Sequence, residues 1–239
     1  MRFGARTVFE GVSFEVRRGE VFVILGGSGC GKSTLLKLLI GLMPPSAGTA
    51  EVLGQDWATL EGEARRAQLR RIGVMWQSGA LLGSLTLAEN VMLPIEAHTR
   101  LPAEARRLIA RSKLGLVGLA DAAERLPAEI SGGMLKRASI ARAMALDPEI
   151  LFLDEPSAGL DPITSAGLDK LITSLAREGG TTCVVVTHEL QSILAIGDRC
   201  IMLDKEAKGM IAEGEPKRLR EEATHPTVRA FFRREAMEA

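Results

Sequence analysis

The stretch Gly26-Gly-Ser-Gly-Cys-Gly-Lys-Ser33 constrains the fold of this chain more than any other segment. It follows the apolar run Val21-Phe-Val-Ile-Leu25 and opens a helical segment that stops at Gly41, before Pro44-Pro45. An unbroken apolar run bounded by Gly19 and Gly26 reads as a strand buried on both faces, hence as part of a parallel sheet under helices. The pattern GxxxxGK[ST] between strand and helix turns successive backbone N–H groups inward around phosphate oxygens, and the helix adds its positive end. Gly26, Gly27, Ser28, Gly29, Cys30, Gly31, Lys32, Ser33 and Thr34 are therefore the expected nucleotide-binding residues. Lys32 can reach the terminal phosphates, and the Ser33 hydroxyl can ligate Mg²⁺.

The pattern of strand then helix continues along the chain. A short strand is expected over 49–53, a charged helix over 61–71 and a strand over 72–76. From Gln77 to about Pro127 leucine-rich turns and helices take over, with candidate helices at 86–93, 102–114 and 116–125. The core resumes with an amphipathic helix over 131–145, a strand over 150–153 and a helix over 162–178. A strand over 183–186, a helix over 189–196 and a strand over 200–203 follow. This order predicts an α/β fold with a mostly parallel sheet and an inserted helical block. The tail after Gly214 is charged and reads as two helical pieces broken at His225-Pro226.

Composition removes several classes of function. Lys+Arg and Asp+Glu are both 30 in a chain of 239 residues, so there is no global electrostatic pull on nucleic acid or anionic lipid. Aromatic residues are 4% and tyrosine is absent, which weakens base stacking. No apolar run approaches the roughly 18 residues of a bilayer span, and Met1-Arg-Phe-Gly4 opens no signal peptide. The expectation is a soluble cytoplasmic protein. Cys30, Cys183 and Cys200 are widely spaced without a CxxC pair, so a reducing compartment fits better than a disulfide framework or a zinc site. Cys30 beside Lys32 at a helix start is expected to have a lowered thiol pKa and to be alkylated.

Three further groups of residues carry chemistry. Ile150-Leu-Phe-Leu-Asp154-Glu155 is an apolar strand ending in two carboxylates. Asp154 suits coordination of the Mg²⁺ held by Ser33, and Glu155 suits polarising a water against the γ-phosphate. Alternatively, these carboxylates cap the helix beginning near Pro162. Ser131-Gly-Gly133 opens another helix, where Ser131 is a natural N-cap but two glycines in the first turn weaken the helix. Exposed N–H groups, a hydroxyl and the helix dipole make a second phosphate cradle there, which two chains trading half-sites would explain. Gln77 and His188 each end a strand at the carboxyl side, where α/β sites sit; His188 could otherwise be a capping or core histidine.

Taken in order, the phosphate loop, Gln77, Ser131-Gly-Gly133, Asp154-Glu155, Ala158-Gly-Leu-Asp161 and His188 resemble ATP-binding cassette (ABC) ATPases, from Phe3 to about Gly214. The resemblance implies a P-loop NTPase core with an N-terminal antiparallel β region and a helical subdomain at about 78–145. It divides the chain into a nucleotide-binding domain at 1–214 and a helical tail at 215–239. It further implies ATP and Mg²⁺ as ligands and a head-to-tail dimer around two nucleotides. In such a dimer Ser131, Gly132 and Gly133 contact the γ-phosphate bound by the opposite copy, and Gln77 senses Mg²⁺ and the transporter subunit. His188 holds the γ-phosphate and the attacking water, which makes Glu155, His188 and Lys32 the catalytic set. Asp161 couples the two sites. Phe3 occupies the place of an adenine-stacking aromatic, although the strand that usually precedes that aromatic has no counterpart after Met1.

Trp76-Gln-Ser-Gly-Ala-Leu-Leu-Gly-Ser-Leu-Thr-Leu-Ala-Glu-Asn-Val91, Leu93-Pro94, Glu96-Ala-His98-Thr-Arg-Leu-Pro102, Met134 and Asp161-Pro162-Ile163-Thr164 look like the Mla/Mce type of cassette. That type implies phospholipid or other lipid traffic across the bacterial envelope. Its partners would be a membrane permease and an Mce-type lipid-binding protein, with the chain on the cytoplasmic face of the inner membrane. Gly79 to Leu85 would offer the permease a docking place beside Gln77, and the tail could reach the partner or the membrane surface. Alternatives are another transport system or a nucleic-acid-associated ABC ATPase; the interval from Gln77 to Ser131 is too short for the coiled coil of repair members.

Overall fold

The computed structural model describes residues 1–235, so the last four residues of the expected tail lie outside the described part. Strand β3 (Val21–Gly26) lies inside a six-stranded sheet ordered β10-β9-β3-β8-β7-β6. Its parallel neighbours are β8 (Thr182–Val186) and β9 (Arg199–Asp204). Beyond β8 lie β7 (Ile150–Asp154) and β6 (Ile72–Met75), also parallel. Every residue of β3 is buried. Period-two alternation sends Val21, Val23 and Leu25 into one apolar core and Phe22 and Ile24 into another. Each such side chain contributes about 1.5–3 kcal/mol by burial, and covering both faces is what a continuous apolar strand requires.

On one face lies α1 (Lys32–Leu39), which buries Leu35, Leu36 and Leu38. The chain over 8–16 joins this core through Phe9, Val12, Phe14 and Val16, and the Phe14 ring stacks on Phe22 at 5.3 Å. The other face carries α6 (Pro162–Arg177), α7 (Leu190–Ile196) and α5 (Gly132–Ala143), whose buried side chains share the first core. Within the helical block, α5 packs against α3 (Leu87–His98) and α4 (Ala103–Leu116).

Several elements differ from the sequence expectation. The helix expected over 86–93 extends to His98 through Pro94. Its start is fixed by a capping box in which Thr86 Oγ1 accepts from Glu89 N–H and Glu89 Oε2 accepts from Thr86 N–H. Buried Asn90 then ties down the preceding turn, donating to the carbonyls of Leu82, Leu85 and Thr86 and accepting from Leu82 N–H. No helix covers 116–125: α4 ends at Leu116, Gly118 turns the chain at φ +73°, and a single 3₁₀ turn follows at Ala120–Ala122. The helix at 131–145 is expected to be amphipathic, yet α5 buries Lys136, Ala138, Ser139, Ile140 and Ala141, more than one face of a helix.

An edge strand, β10 (Gly209–Gly214), pairs antiparallel with β9 through a register shift at Ile211 and has no counterpart in the sequence reading. The strand expected over 49–53 shrinks to β4 (Glu51–Val52), hairpinned to β5 (Gln55–Asp56) and followed by α2 (Gly62–Arg70). The N-terminal antiparallel region is a hairpin of two-residue strands, β1 (Arg2–Phe3) and β2 (Arg6–Thr7). The tail forms two helices, α8 (Pro216–Glu222) and α9 (Pro226–Arg233), broken at His225-Pro226 as expected, with Pro226 starting the second. Val228 and Phe232 anchor α9 in the first core.

Candidate nucleotide-binding and hydrolysis site

The candidate site is assembled by strand register. Ile24 of β3 and Asp154 of β7 both align with Val186 of β8, and Met75 of β6 aligns with Leu153 of β7. The carboxyl ends of four adjacent parallel strands thus bring out, side by side, the phosphate loop, His188, Asp154-Glu155 and Gln77. Residues separated by up to about 160 positions in sequence meet for that reason alone.

The loop at 26–31 depends on glycine conformation. Gly26, Gly29 and Gly31 have φ of +148°, +77° and +103°. At Gly31 the space is closed as well, because a Cβ would lie 2.8 Å from Cδ1 of Phe9. A Cβ at Gly27 or Gly29 would meet nothing within 4 Å, which leaves that side of the loop open to a ligand. Lys32 Nζ donates to the carbonyls of Gly26 (2.8 Å) and Gly27 (3.1 Å), so the ammonium lies along the loop. Among the described residues, the first amides of α1, those of Lys32, Ser33 and Thr34, have no protein acceptor. Unpaired amides with an ammonium beside them fit a polyphosphate.

Cys30 departs from its expectation. Its thiol is buried, 1% exposed, and desolvation pushes its pKa up despite the nearby Lys32 charge and the backbone N–H groups that favour the thiolate. Burial outweighs the helix start here, so the lowered thiol pKa expected from sequence is overturned.

The two carboxylates occupy distinct environments. Asp154 is 8% exposed, and its pKa is raised by burial and then by the charge of Glu155, with Lys32, Lys136 and Lys37 acting against the shift. Glu155 is held at φ +47°, a left-handed conformation costing a non-glycine residue about 1–3 kcal/mol. Its N–H donates to Val186 O at 2.8 Å, and its Oε1 lies 2.8 Å from Nδ1 of His188. Its other oxygen, Oε2, is buried without a partner among the described residues. A buried acceptor left empty beside a second buried carboxylate is unusual in a purely structural pair. The side chain of His188 is 59% exposed, and α7 is N-capped by Glu189, so His188 is neither a capping nor a core histidine.

Helix α6 is capped by Asp161, whose carboxylate accepts from the N–H groups of Ile163 and Thr164 and from the Thr164 hydroxyl. Those bonds hold its pKa below the usual carboxylate range. Asp154 and Glu155 therefore do not cap that helix. Gln77 is exposed. The Ser131 hydroxyl accepts from Met134 N–H at 3.3 Å as the N-cap of α5, and Ser131 and Gly132 are exposed. Phe3 is half exposed but is not a frayed end: it pairs with Arg6, and the terminal ammonium donates to Phe9 O at 2.6 Å.

Two residues outside the sequence expectation belong to this neighbourhood. Lys136 Nζ donates to the carbonyl of Gln77 and, at 3.3 Å, to that of Glu155. Arg142 donates to the carbonyls of Gly79 (2.9 Å) and Ala80 (2.6 Å). The available signal was the three-residue spacing of Lys136, Ser139 and Arg142, which puts three polar side chains on one helix face.

Ligand fit follows from the donor set. The Ser33 hydroxyl, the Asp154 carboxylate and the Gln77 side-chain amide are hard oxygen donors of the kind Mg²⁺ takes. Among the described residues no group of three or more His, Cys, Asp and Glu side chains could hold an ion unaided.

The chain is similar to several known proteins. The family profile described as "ABC transporter" matches residues 9–158. The Escherichia coli K12 "intermembrane phospholipid transport system ATP-binding protein MlaF" is 39% identical over 230 residues, covering 96% of this chain and 84% of that protein. The Mycobacterium leprae "probable ribonucleotide transport ATP-binding protein mkl" is 39% identical over 232 residues, covering 96% of this chain and 65% of that one. A solved dimer of the ATP-binding cassette MJ0796 in a post-hydrolysis state with ADP and Pi superposes with a TM-score of 0.79 at 32% identity. It covers 87% of this chain and 90% of that one.

Proposed function

The chain belongs to the ABC transporter ATPase family, and we propose that it hydrolyses MgATP within a head-to-tail pair of its own copies to drive a phospholipid permease. The observation that carries the ATPase chemistry is the buried, unpartnered Oε2 of Glu155 at the carboxyl edge that also bears the phosphate loop. Lys32 and the free amides of α1 bind the triphosphate, and Phe3 stacks on the adenine. Ser33, Asp154 and Gln77 would hold Mg²⁺, which when bound neutralises charge on the phosphate oxygens. A water oxygen bonds to the γ-phosphorus as the bond to the ADP oxygen breaks, and Oε2 of Glu155 takes the proton that the water gives up. His188 fixes the Glu155 carboxylate through Nδ1 and presents its exposed ring to the γ-phosphate.

The exposed Ser131 and Gly132 lie on the outside of the chain, which supports their serving the nucleotide of a second copy; Asp161, next to the Leu160 that faces Gly132, would link the two sites. Residues 1–214 act as the nucleotide-binding domain, within which the helical subdomain at about 78–145 transmits movement through Gln77 to the permease. The helices from 216 onward form the tail. Among the described residues no helix is long and apolar enough to cross a membrane, so membrane passage falls to the permease. The chain then works from the cytoplasmic face of the inner membrane, with an Mce-type lipid-binding protein as a further partner.

MlaF and mkl are equally similar by identity, and the choice of phospholipid rests on the Trp76–Val91 and Glu96–Pro102 segments that look like the Mla type. Reconstitution of the chain with a candidate permease, in vesicles carrying a fluorescent phospholipid, tests this reading. ATP-dependent lipid movement that Glu155→Gln abolishes is the expected result. ATP turnover stimulated by ribonucleotide and indifferent to lipid would sink the choice of cargo.

A further inference from the structure

Helix α5 lies along the chain just after Gln77 and holds it at several points. Lys136 takes the Gln77 carbonyl, and Arg142 takes those of Gly79 and Ala80. Gly79 lies so close that a Cβ would come within 2.5 Å of Leu135 Cδ2 and 2.6 Å of Ser139 Oγ. Gly79 and Ala80 have φ of +77° and +52°, a local path that the two cations secure through its carbonyls. The helix that begins at Ser131 and the segment at 77–80 are therefore fastened together.

Lys136 differs from Arg142 in one respect. Only 7% exposed, its ammonium also reaches across to the backbone carbonyl of Glu155. Burial pulls its pKa below the ordinary lysine range, while the charges of Glu155 and Asp154 act in the opposite direction. Glu155 sits at φ +47°, so the aim of its carboxylate depends on a backbone conformation that neighbours must impose. Val186 holds its N–H, His188 holds Oε1, and Lys136 holds its carbonyl.

We propose that Lys136 is a positioning residue for hydrolysis, a buried strut by which the helix of Ser131 and the Gln77 segment together set the aim of the Glu155 carboxylate. It touches no reacting atom. A displacement of α5 that draws Lys136 away from Glu155 disarms the carboxylate, while a displacement that restores the contact rearms it. The inference rests on Glu155 accepting the proton from water.

Lys136→Met keeps the aliphatic stem and removes the donors. In the full chain it should lower kcat by roughly ten- to a hundredfold, the scale of a catalytic group misplaced by about 1 Å, with KM for MgATP unchanged. Lys136→Arg, which can still donate to both carbonyls, should recover most of that loss. Arg142→Met loosens the same segment without touching Glu155 and should lower kcat by less. Wild-type kcat in Lys136→Met, no recovery in Lys136→Arg, or an equal loss in Arg142→Met would each overturn the proposal. So would kcat and KM shifting together with the melting temperature, the signature of a merely structural lysine. Glu155→Gln separates the two levels. If it turns over normally, the proton-acceptor reading itself fails; if it is dead while Lys136→Met is fully active, only the strut fails.

Discussion

Two glycine-bearing loops open helices in this protein, and they are built differently. At the start of α1, Gly26, Gly29 and Gly31 have positive φ, an ammonium lies along the loop, and two buried carboxylates stand at the same sheet edge. At the start of α5, Gly132 and Gly133 have ordinary φ, Ser131 supplies a simple N-cap, and no hydrogen bond among the described residues joins them to the phosphate loop. The two glycines of the second loop also differ from each other. A Cβ at Gly133 would lie 2.4 Å from Thr164 Cγ2, so packing against α6 demands glycine. A Cβ at Gly132 would find nothing nearer than Leu160 at 3.9 Å. Nothing among the described residues accounts for glycine at 132, whose backbone is bare and exposed.

That contrast can be broken by experiment. Glu155→Gln should reduce hydrolysis by about 10²–10⁴-fold or more while MgATP binding persists and a nucleotide-bound dimer accumulates. Single-turnover kinetics and size-exclusion chromatography check both parts, and normal turnover would remove Glu155 from its role. Ser131→Arg should lower turnover by at least about 10²-fold, the scale of losing one preorganised donor, and leave MgATP affinity of the isolated chain intact. Equal loss of affinity, read by titration calorimetry, would mean that the second loop serves its own chain's nucleotide. Gly133→Ala should destabilise the fold by about 1–3 kcal/mol through overpacking. Gly132→Ala should leave stability unchanged or raise it by up to about 1 kcal/mol yet still impair turnover. Denaturant melts of the pair decide this, and equal destabilisation would erase the distinction.

The smallest effect expected concerns the thiols. Burial raises the pKa of Cys30, and pushes those of Cys183 and Cys200 up to about 12. A raised thiol pKa means less thiolate at neutral pH, so iodoacetamide should label the folded chain more slowly than a free thiol, at a rate climbing with pH. Fast labelling of Cys30 at neutral pH, with protection by MgATP, would restore the lowered thiol pKa expected from sequence.

Much of the candidate site was legible because its signals are local. A strand, a glycine loop and a helix start are contiguous at 21–39, and Asp154-Glu155 ends an apolar run, so periodicity and turn chemistry found both. Elements decided by their packing context were harder to read. Strand β10 pairs with the neighbouring β9 through an irregular register that simple alternation does not reveal, and residues 116–125 turn at Gly118 where composition favoured a helix. The reversal at Cys30 has the same origin: adjacent Lys32 and the helix start are visible in sequence, whereas the desolvation that outweighs them comes from packing.

By itself, then, the order of residues determined the α/β alternation, the phosphate loop and the identities of the candidate groups, since each follows from chemistry within about ten neighbours. Only the folded sheet decided that Glu155 carries an unpartnered oxygen beside His188, and that Lys136 bridges Gln77 and Glu155. Strand register and burial are properties of distant segments brought together, and no single stretch of chain contains them.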